Sequence, residues 1–149
     1  MNVGEFCNRE VIVVERQESA LEAAKLMRFH HVGDVIVVDK DEPCARPAGI
    51  LTDRDMVIEL LAASVDPASV TAGDIMSGDL FTATEDDDLM ETIKSMRSKG
   101  IRRLPIVDDQ ARLIGILAVD DVLEIITEQL SDLVALVVME QRQERKTRP

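Results

Sequence analysis

Aromatic residues are almost absent from this chain of 149 residues, which has no tryptophan, no tyrosine and three phenylalanines. A surface that stacks the bases of a single-stranded nucleic acid needs more rings than these. The chain also carries a formal net charge of −12, and such an acidic protein repels phosphate backbones at long range. Both observations disfavour nucleic-acid binding, and a bound purine would have to lie between aliphatic side chains.

Cysteine is scarce, and long hydrophobic runs are missing. Cys7 and Cys44 belong to no C-x-x-C pair and have no histidine at ligand spacing, so we favour free thiols in a reducing cytoplasm over a metal or redox site. The longest wholly apolar run, residues 133–139, is too short to cross a bilayer. The first ten residues lack the pattern of a signal peptide. We expect a soluble, cytoplasmic protein with no membrane partner.

Motifs of catalysis are also missing. The sequence contains no P-loop, no G-x-G-x-x-G, no G-x-S-x-G and no H-E-x-x-H. Its only histidines, His30 and His31, are adjacent and point apart on a helix, so we interpret them as a solvated helix terminus. We assign no catalytic residue and no metal ligand, and we do not expect an enzyme.

What the sequence does contain is one unit written twice. Gly4 aligns with Gly73 at an offset of 69 residues, and this register holds without a gap through the second strand. The offset then drops to 66, which brings Asp55 opposite Asp121. The extra residues of the first copy fall in a loop predicted at residues 41–47, where a change of length is cheapest.

Each copy predicts the order β-α-β-β-α. The strands are expected at residues 11–14, 34–38 and 49–51, and at residues 80–82, 104–107 and 113–117. The helices are expected at residues 18–29, 53–63 and 87–99, and from residue 119 onward, with Ser19 and residues 86–88 at helix starts. Hairpins with helices on one face indicate an α/β fold with mixed sheets. We place the repeats at residues 1–66 and 67–149, with a linker at residues 66–73.

The last helix is longer than its counterpart in the first copy. Its apolar residues recur every three or four positions, at Leu123, Ile126, Leu130, Leu133 and Val137. Such a stripe usually packs on a partner helix, so we favour a homodimer through helices over packing on the N-terminal segment of the same chain. The polar and basic tail, residues 141–149, is expected to fray.

Two duplicated turns carry the candidate binding residues. After the third strand the first copy reads Thr52-Asp53-Arg54-Asp55 and the second reads Ala118-Val119-Asp120-Asp121. A carboxylate at a helix start can accept hydrogen bonds from the two hydroxyls of a ribose, but Thr52 and Asp53 are also what N-capping alone would select. Asp55 and Asp121 fall inside the first turn at identical repeat positions.

The second duplicated turn leads from the first helix into the buried strand. The first copy reads His31-Val32-Gly33-Asp34-Val35-Ile36, and the second reads Gly100-Ile101-Arg102-Arg103-Leu104-Pro105. The two arginines could bind phosphate with their guanidinium groups, or they could form salt bridges with the abundant carboxylates. Pro105 indicates an edge strand or an irregular strand start.

These segments resemble the tandem CBS-domain family, named for cystathionine β-synthase. The similar segments are LMRFHHVGDVIVVD and SMRSKGIRRLPIVD, each followed after a hairpin by GILTDRD or GILAVDD, and the similarity extends from about residue 4 to residue 127. The resemblance implies two repeats related by a pseudo-twofold axis, with sheets packed face to face and two equivalent clefts. Family members bind adenosine derivatives in such clefts, namely AMP, ADP or ATP, and sometimes NAD or S-adenosylmethionine.

The resemblance also implies roles for individual residues. The ribose pattern of the family, Thr or Ser followed three residues later by Asp, is matched by Thr52 and Asp55, whereas the second copy keeps Asp121 but has Ala118. Backbone beside the adenine and basic groups for the phosphates are expected before each buried strand. The nucleotide-binding residues implied in this way are Val32, Gly33, Asp34, Thr52, Arg54, Asp55, Ile101, Arg102, Arg103, Pro105, Ala118, Asp120 and Asp121.

We therefore expect a non-catalytic regulatory module. An adenine nucleotide would be its effector, no cofactor would be required, and a conformational change would signal to a regulated protein that the sequence does not identify. The departures at Ala118, Gly33 and Asp34 leave open a structural or protein-binding module without nucleotide. A nucleic-acid regulator is a further alternative, which the acidic charge disfavours.

Overall fold

Two three-stranded sheets form the framework of the computed structural model, which describes residues 1–41 and 44–148. In each sheet the first strand runs parallel to the middle strand, and the third runs antiparallel to it. The first sheet consists of β1 (Val13–Glu15), β2 (Asp34–Asp41) and β3 (Cys44–Thr52), and the second of β4 (Ala83–Thr84), β5 (Arg103–Val107) and β6 (Leu113–Ala118). The mixed sheets and the repeated order of elements are confirmed.

Helices precede and follow the hairpin of each repeat. They are α1 (Ala20–His30), α2 (Asp53–Asp55), α3 (Ala72–Ile75), α4 (Leu89–Lys99) and α5 (Val119–Thr147), with a 3₁₀ turn at Val3–Glu5. α2 continues as a π-helix over Met56–Leu61. The side chains of Ser19 and Asp88 cap α1 and α4 by accepting backbone hydrogen bonds, as their positions predicted. No helix among the described residues is long and apolar enough to span a membrane.

Several expectations about secondary structure are wrong in detail. The strand expected at residues 11–14 is β1, Val13–Glu15. Residues 80–82 precede β4, because only Ala83 and Thr84 pair with β5. Most of the loop expected at residues 41–47 is strand, and Pro47 is tolerated because β3 is an edge strand with a register shift opposite it; residues 42 and 43 lie outside the described residues. α3 begins inside the expected linker.

A further error concerns the C-terminal tail, which is helical through Thr147 instead of frayed. Glutamine, arginine, glutamate and lysine dominate residues 140–146, and all four are good helix formers. Pro105, for its part, lies in a central strand and not at an edge. It fits there because β4 begins to pair with β5 only at Ile106, so the missing N–H removes no ladder bond to β4.

Each repeat has its own hydrophobic core, and the two repeats exchange their opening segments: the first segment of each repeat packs in the core of the other repeat. Val3, in the first 3₁₀ turn, is fully buried among residues of the second repeat such as Leu89. Ala72, in α3, is fully buried among residues of the first repeat such as Val14. Backbone hydrogen bonds hold the same two segments. The N–H of Val3 donates to the carbonyl of Asp87, and the N–H of Ala72 donates to the carbonyl of Glu18, the equivalent residue of the first repeat. The unit boundary at residues 66 and 67 stays a prediction.

The exchanged segments then cross the third strand of the opposite sheet at a glycine. A Cβ atom on Gly49 would lie 2.5 Å from Sδ of Met76 and 2.7 Å from the carbonyl oxygen of Ser77. On Gly115 it would lie 3.0 Å from Sγ of Cys7. β3 and β6 also contact each other, so the two sheets face each other through their third strands.

Candidate ligand-binding cleft

A cleft of about 280 Å³ opens between the two repeats. This volume is close to the lower end of the range for small-molecule sites, about 300–1,000 Å³. The walls come from the approach to β1, the turn from α1 into β2, the strands β5 and β6, and the first turn of α5. The lining residues are Asn8, Glu10, Val11, Ile12, His31, Val32, Gly33, Asp34, Ile36, Arg103, Ile116, Ala118, Asp120 and Asp121.

The turn before each buried strand is tied to the start of the last helix of the same repeat. α1 ends at His31, whose left-handed conformation (φ 55°) redirects the chain into Val32 and Gly33. The backbone N–H of Asp53 donates to the Gly33 carbonyl at 2.9 Å. The equivalent bond of the second repeat, from Val119 to Arg102, is also 2.9 Å long. The scaffold of the two binding turns is therefore preserved in both repeats.

Asp34 and Arg103 form an ion pair across the cleft. They are equivalent residues, because they are separated by the repeat offset of 69, and Nε of Arg103 lies 2.9 Å from Oδ1 of Asp34. Two equivalent side chains can touch only near the axis that relates the repeats. The side chains are 12% exposed for Asp34 and 31% for Arg103, so the pair is largely shielded from solvent.

The pKa of Asp34 depends on its burial first and on the charges around it second. Burial raises the pKa of the Asp34 carboxyl above its ordinary value, and the positive charge of Arg103 opposes this shift without cancelling it. The nearby carboxylates of Asp53 and Asp121 raise the same pKa further. A buried carboxylate at this position is thus costly to ionise, and its partner Arg103 is what makes the charge tolerable.

The duplicated aspartates have different surroundings. The backbone N–H of Thr52 donates to Oδ2 of Asp55 at 2.8 Å, and the N–H of Asp55 donates to Oγ1 of Thr52 at 3.2 Å, which is a capping box. Ala118 cannot form this arrangement, and α5 starts without a side-chain cap. Asp121 is half-buried in the cleft wall, and within the described chain its carboxylate accepts no hydrogen bond.

Both arginines that were expected to meet phosphate are paired with aspartates. Nη2 of Arg102 lies 2.7 Å from Oδ1 of Asp120 at the exposed rim, and Arg103 is paired with Asp34. The structure thus shows the salt-bridge alternative for both arginines, and a phosphate group would have to displace these carboxylates. Glu10 adds a further negative charge to the lining.

The structure brings some of the predicted site residues together in this cleft and leaves the others outside it. The predicted residues that line this cleft are Val32, Gly33, Asp34, Arg103, Ala118, Asp120 and Asp121. The predicted residues that do not line it are Thr52, Arg54, Asp55, Ile101, Arg102 and Pro105. Each of this second set occupies the repeat-equivalent position of a lining residue, as Asp55 does for Asp121.

Several lining residues were missed from the sequence, namely Asn8, Glu10, Val11, Ile12, His31, Ile36 and Ile116. The segment around Asn8 reaches the cleft because it forms a two-way bridge with Ile116, with N–H to carbonyl distances of 2.8 and 2.9 Å. This pairing joins distant parts of the chain and leaves no local pattern. His31 is the expected helix terminus and lines the cleft as well.

Comparison with known sequences places these features in a family. The model of the CBS domain matches residues 3–62 and again residues 72–128. The uncharacterized protein MK0525 of Methanopyrus kandleri is 45% identical over 126 residues, which are 84% of this chain but only 62% of that protein. Hypoxic response protein 1 of Mycobacterium tuberculosis is 32% identical over 118 residues, or 79% of this chain and 80% of that protein.

Solved structures share the fold. Hypoxic Response Protein I, crystallised with two coordinated zinc ions, superposes with a TM-score of 0.73 at 31% identity, covering 83% of this chain and 98% of that one. In this chain no group of three or more potential metal ligands occurs among the described residues. The CBS domain pair of protein MJ0100, in complex with 5′-methylthioadenosine and S-adenosyl-L-methionine, superposes with a TM-score of 0.75 at 26% identity, covering 87% and 98%. The chain belongs to the CBS-domain family and consists of two CBS repeats.

Proposed function

We propose that this chain is a regulatory module without catalytic activity that binds an adenosine-based ligand in the cleft between its repeats. The carboxylate of Asp121 carries the proposal, because it lines the cleft and accepts no hydrogen bond from any described residue. A carboxylate so placed can accept hydrogen bonds from the two vicinal hydroxyls of a ribose. Asp55, its repeat equivalent, is already engaged in a capping box.

The apolar part of the cleft suits a purine. Val11, Ile12, Val32, Ile36 and Ile116 contribute aliphatic side chains to the lining, and these can flank a planar base in place of aromatic rings. The complex of the MJ0100 CBS pair with 5′-methylthioadenosine and S-adenosyl-L-methionine supports an adenosine-based ligand in a protein of this fold.

The charge of the cleft restricts the rest of the ligand. AMP, ADP, ATP and NAD all carry phosphates, and Arg103 is the cation that could meet them among the lining residues. Glu10, Asp34, Asp120 and Asp121 surround it with negative charge, so each added phosphate meets more repulsion. We therefore expect AMP to bind more tightly than ATP, and a cationic ligand such as S-adenosylmethionine to be favoured.

The output would pass through α5. Asp120 and Asp121 stand in the first turn of this helix, and its residues from 126 onward are exposed in the single chain. A ligand that shifts the first turn therefore moves the surface on which a second copy, or a regulated protein, would dock. We place this activity in the cytoplasm, in keeping with the free thiol of Cys7.

Isothermal titration calorimetry with AMP, ADP, ATP, NAD and S-adenosylmethionine tests the proposal. A charge-assisted hydrogen bond contributes roughly 1.5–3 kcal/mol, so Asp121→Ala should weaken binding about ten- to a hundredfold. Asp55→Ala is the matched control and should change affinity by less than about threefold, because that carboxylate serves a capping box. Equal losses in the two variants would assign the ligand to the equivalent cleft as well.

A second candidate function rests on the exposed apolar residues of α5. Leu123, Leu130 and Leu133 are each more than half exposed, which favours a structural or protein-interaction module that needs no small ligand. Under that alternative, none of the five ligands would raise the melting temperature of the full chain, and Asp121→Ala would leave partner binding unchanged.

A further inference from the structure

The face of α5 opposite its apolar stripe carries a second ordered pattern. Two residues beyond Ile126, Leu130, Leu133 and Val137, the helix has another row of residues, and two residues turn an α-helix by about 200°. The spacing between its members alternates between four and three residues, and two further residues continue it toward the C-terminus. The row is Glu128, Asp132, Ala135, Met139, Arg142 and Lys146. We name it the charged seam.

The charged seam has no partner within its own chain. All of its residues are exposed, and they lie on a helix that leaves the body of the protein after residue 125. In the part of the chain that the structure describes, neither its two acids nor its two bases take part in an ion pair. Four side chains that could pair are therefore available to another molecule.

The order of residues along the charged seam is self-complementary in one direction only. Two acids come first, a small and a large apolar residue follow, and two bases come last. When two copies of the helix pair antiparallel, Glu128 lies opposite the partner's Lys146 and Asp132 lies opposite the partner's Arg142. Ala135 then meets the partner's Met139, and the twofold axis generates every contact a second time.

Parallel pairing would do the opposite. It would set each acid beside the same acid and each base beside the same base, which is unfavourable. A shallow groove beside this row is lined by Asp132, Ala135, Leu136, Met139, Glu140 and Gln143. The small Ala135 leaves room there for a flexible methionine side chain.

We propose that the charged seam is a self-association surface on which α5 of a second copy of this chain packs antiparallel. Its contact is separate from the apolar stripe, because the two rows face opposite sides of the helix. The proposal does not depend on ligand binding in the cleft.

A charge swap on the full-length chain tests both the surface and the direction of pairing. Asp132→Arg places two arginines against each other, and Arg142→Asp places two aspartates against each other. Each single variant should weaken self-association about tenfold or more, so that light scattering after size exclusion at low salt gives half of the wild-type mass. The double variant Asp132→Arg/Arg142→Asp should restore the wild-type mass, because each new side chain then faces its opposite charge.

The matched control is Arg145→Glu, a reversal of charge on the flank of the same helix, about midway between the charged seam and the apolar stripe. It should keep the wild-type mass, and circular dichroism should show equal helix content in all variants. A wild-type chain that runs as a monomer, an unchanged mass for Asp132→Arg, or a double variant that stays at half mass would each overturn the proposal. Parallel pairing predicts the last of these results.

Discussion

The two repeats keep the same backbone plan and differ in the side chains that face the cleft. The bond from the last helix to the preceding turn is 2.9 Å long in both, and both first helices end in a left-handed residue, His31 or Gly100. At the equivalent positions beside these bonds, however, the first repeat has Asp34 and the second has Arg103. Duplication thus conserved the scaffold, whereas the chemistry of the site diverged.

One divergent pair decides which aspartate is available to a ligand. Thr52 draws Asp55 into a capping box, while Ala118 leaves Asp121 without that partner. Asp55, whose sequence pattern matches the family better, is the carboxylate that already forms hydrogen bonds within the protein. The difference teaches that the Thr-x-x-Asp pattern, to which the family resemblance assigns ribose binding, forms a helix cap in the first repeat.

The largest expected difference between the repeats concerns the two crossing glycines. Gly49→Ala should lower the free energy of unfolding by about 3 kcal/mol, because its new methyl group would meet a backbone carbonyl that cannot easily move. Gly115→Ala should cost about 1 kcal/mol, since the contact there is looser. Urea unfolding followed by circular dichroism measures both. Equal losses would mean that the two crossings are equally tight.

The exchange of opening segments predicts a long-range effect of Val3. Val3→Ala should destabilise the chain by about 2 kcal/mol, because it removes fully buried methyl groups from the core of the second repeat. Phe29→Ala is a control, since that side chain is 78% exposed although larger. A neutral Val3→Ala variant in urea unfolding would contradict the exchange.

Two reciprocal substitutions at the helix starts should have opposite signs. Thr52→Ala should cost about 1 kcal/mol by removing a cap, and Ala118→Thr should gain up to about 1 kcal/mol by adding one. The new capping box would also engage Asp121 and so lower ligand affinity in calorimetry. Thermal unfolding gives the stabilities. An Ala118→Thr variant with higher stability and undiminished affinity would separate capping from binding.

The smallest effects are those of pH, and two aspartates of the first repeat should respond in opposite ways. The pKa of Asp39 is lowered by its hydrogen bond to Arg16, so its stabilising contribution is present at neutral pH and lost as the pH falls through that lowered pKa. The pKa of Asp34 is raised by burial, so its contribution is largest in acid and lost as the pH rises through the raised pKa.

Urea unfolding between pH 6 and pH 3 separates the two contributions. Asp39→Asn should make the acid loss of stability shallower, and Asp34→Asn should make it steeper, each by a few tenths of a kcal/mol, which is the usual size for partly exposed ion pairs. Asp86→Asn, at an exposed position, is the control. The same change of slope in both variants would contradict the difference between their surroundings.

Much of the fold could be predicted from local pattern. The caps at Ser19 and Asp88 and the start of α5 at Val119 depend on residues within a few positions of each other. The repeat offset needs only a comparison of the sequence with itself. Strand ends were less predictable, as at residues 80–82, because a strand extends only as far as its neighbour pairs with it. The part of the cleft built by Asn8 and Ile116 could not be found in this way.

The amino-acid order by itself determined the duplicated β-α-β-β-α unit, the acidic charge and the apolar stripe of α5, because each is a matter of spacing or composition. Tertiary structure alone decided that Val3 belongs to the second core, that Asp34 meets Arg103 and that Asp121 faces the cleft. The reason is physical. These contacts join segments far apart in the chain, and their energy depends on the packing of the two repeats together.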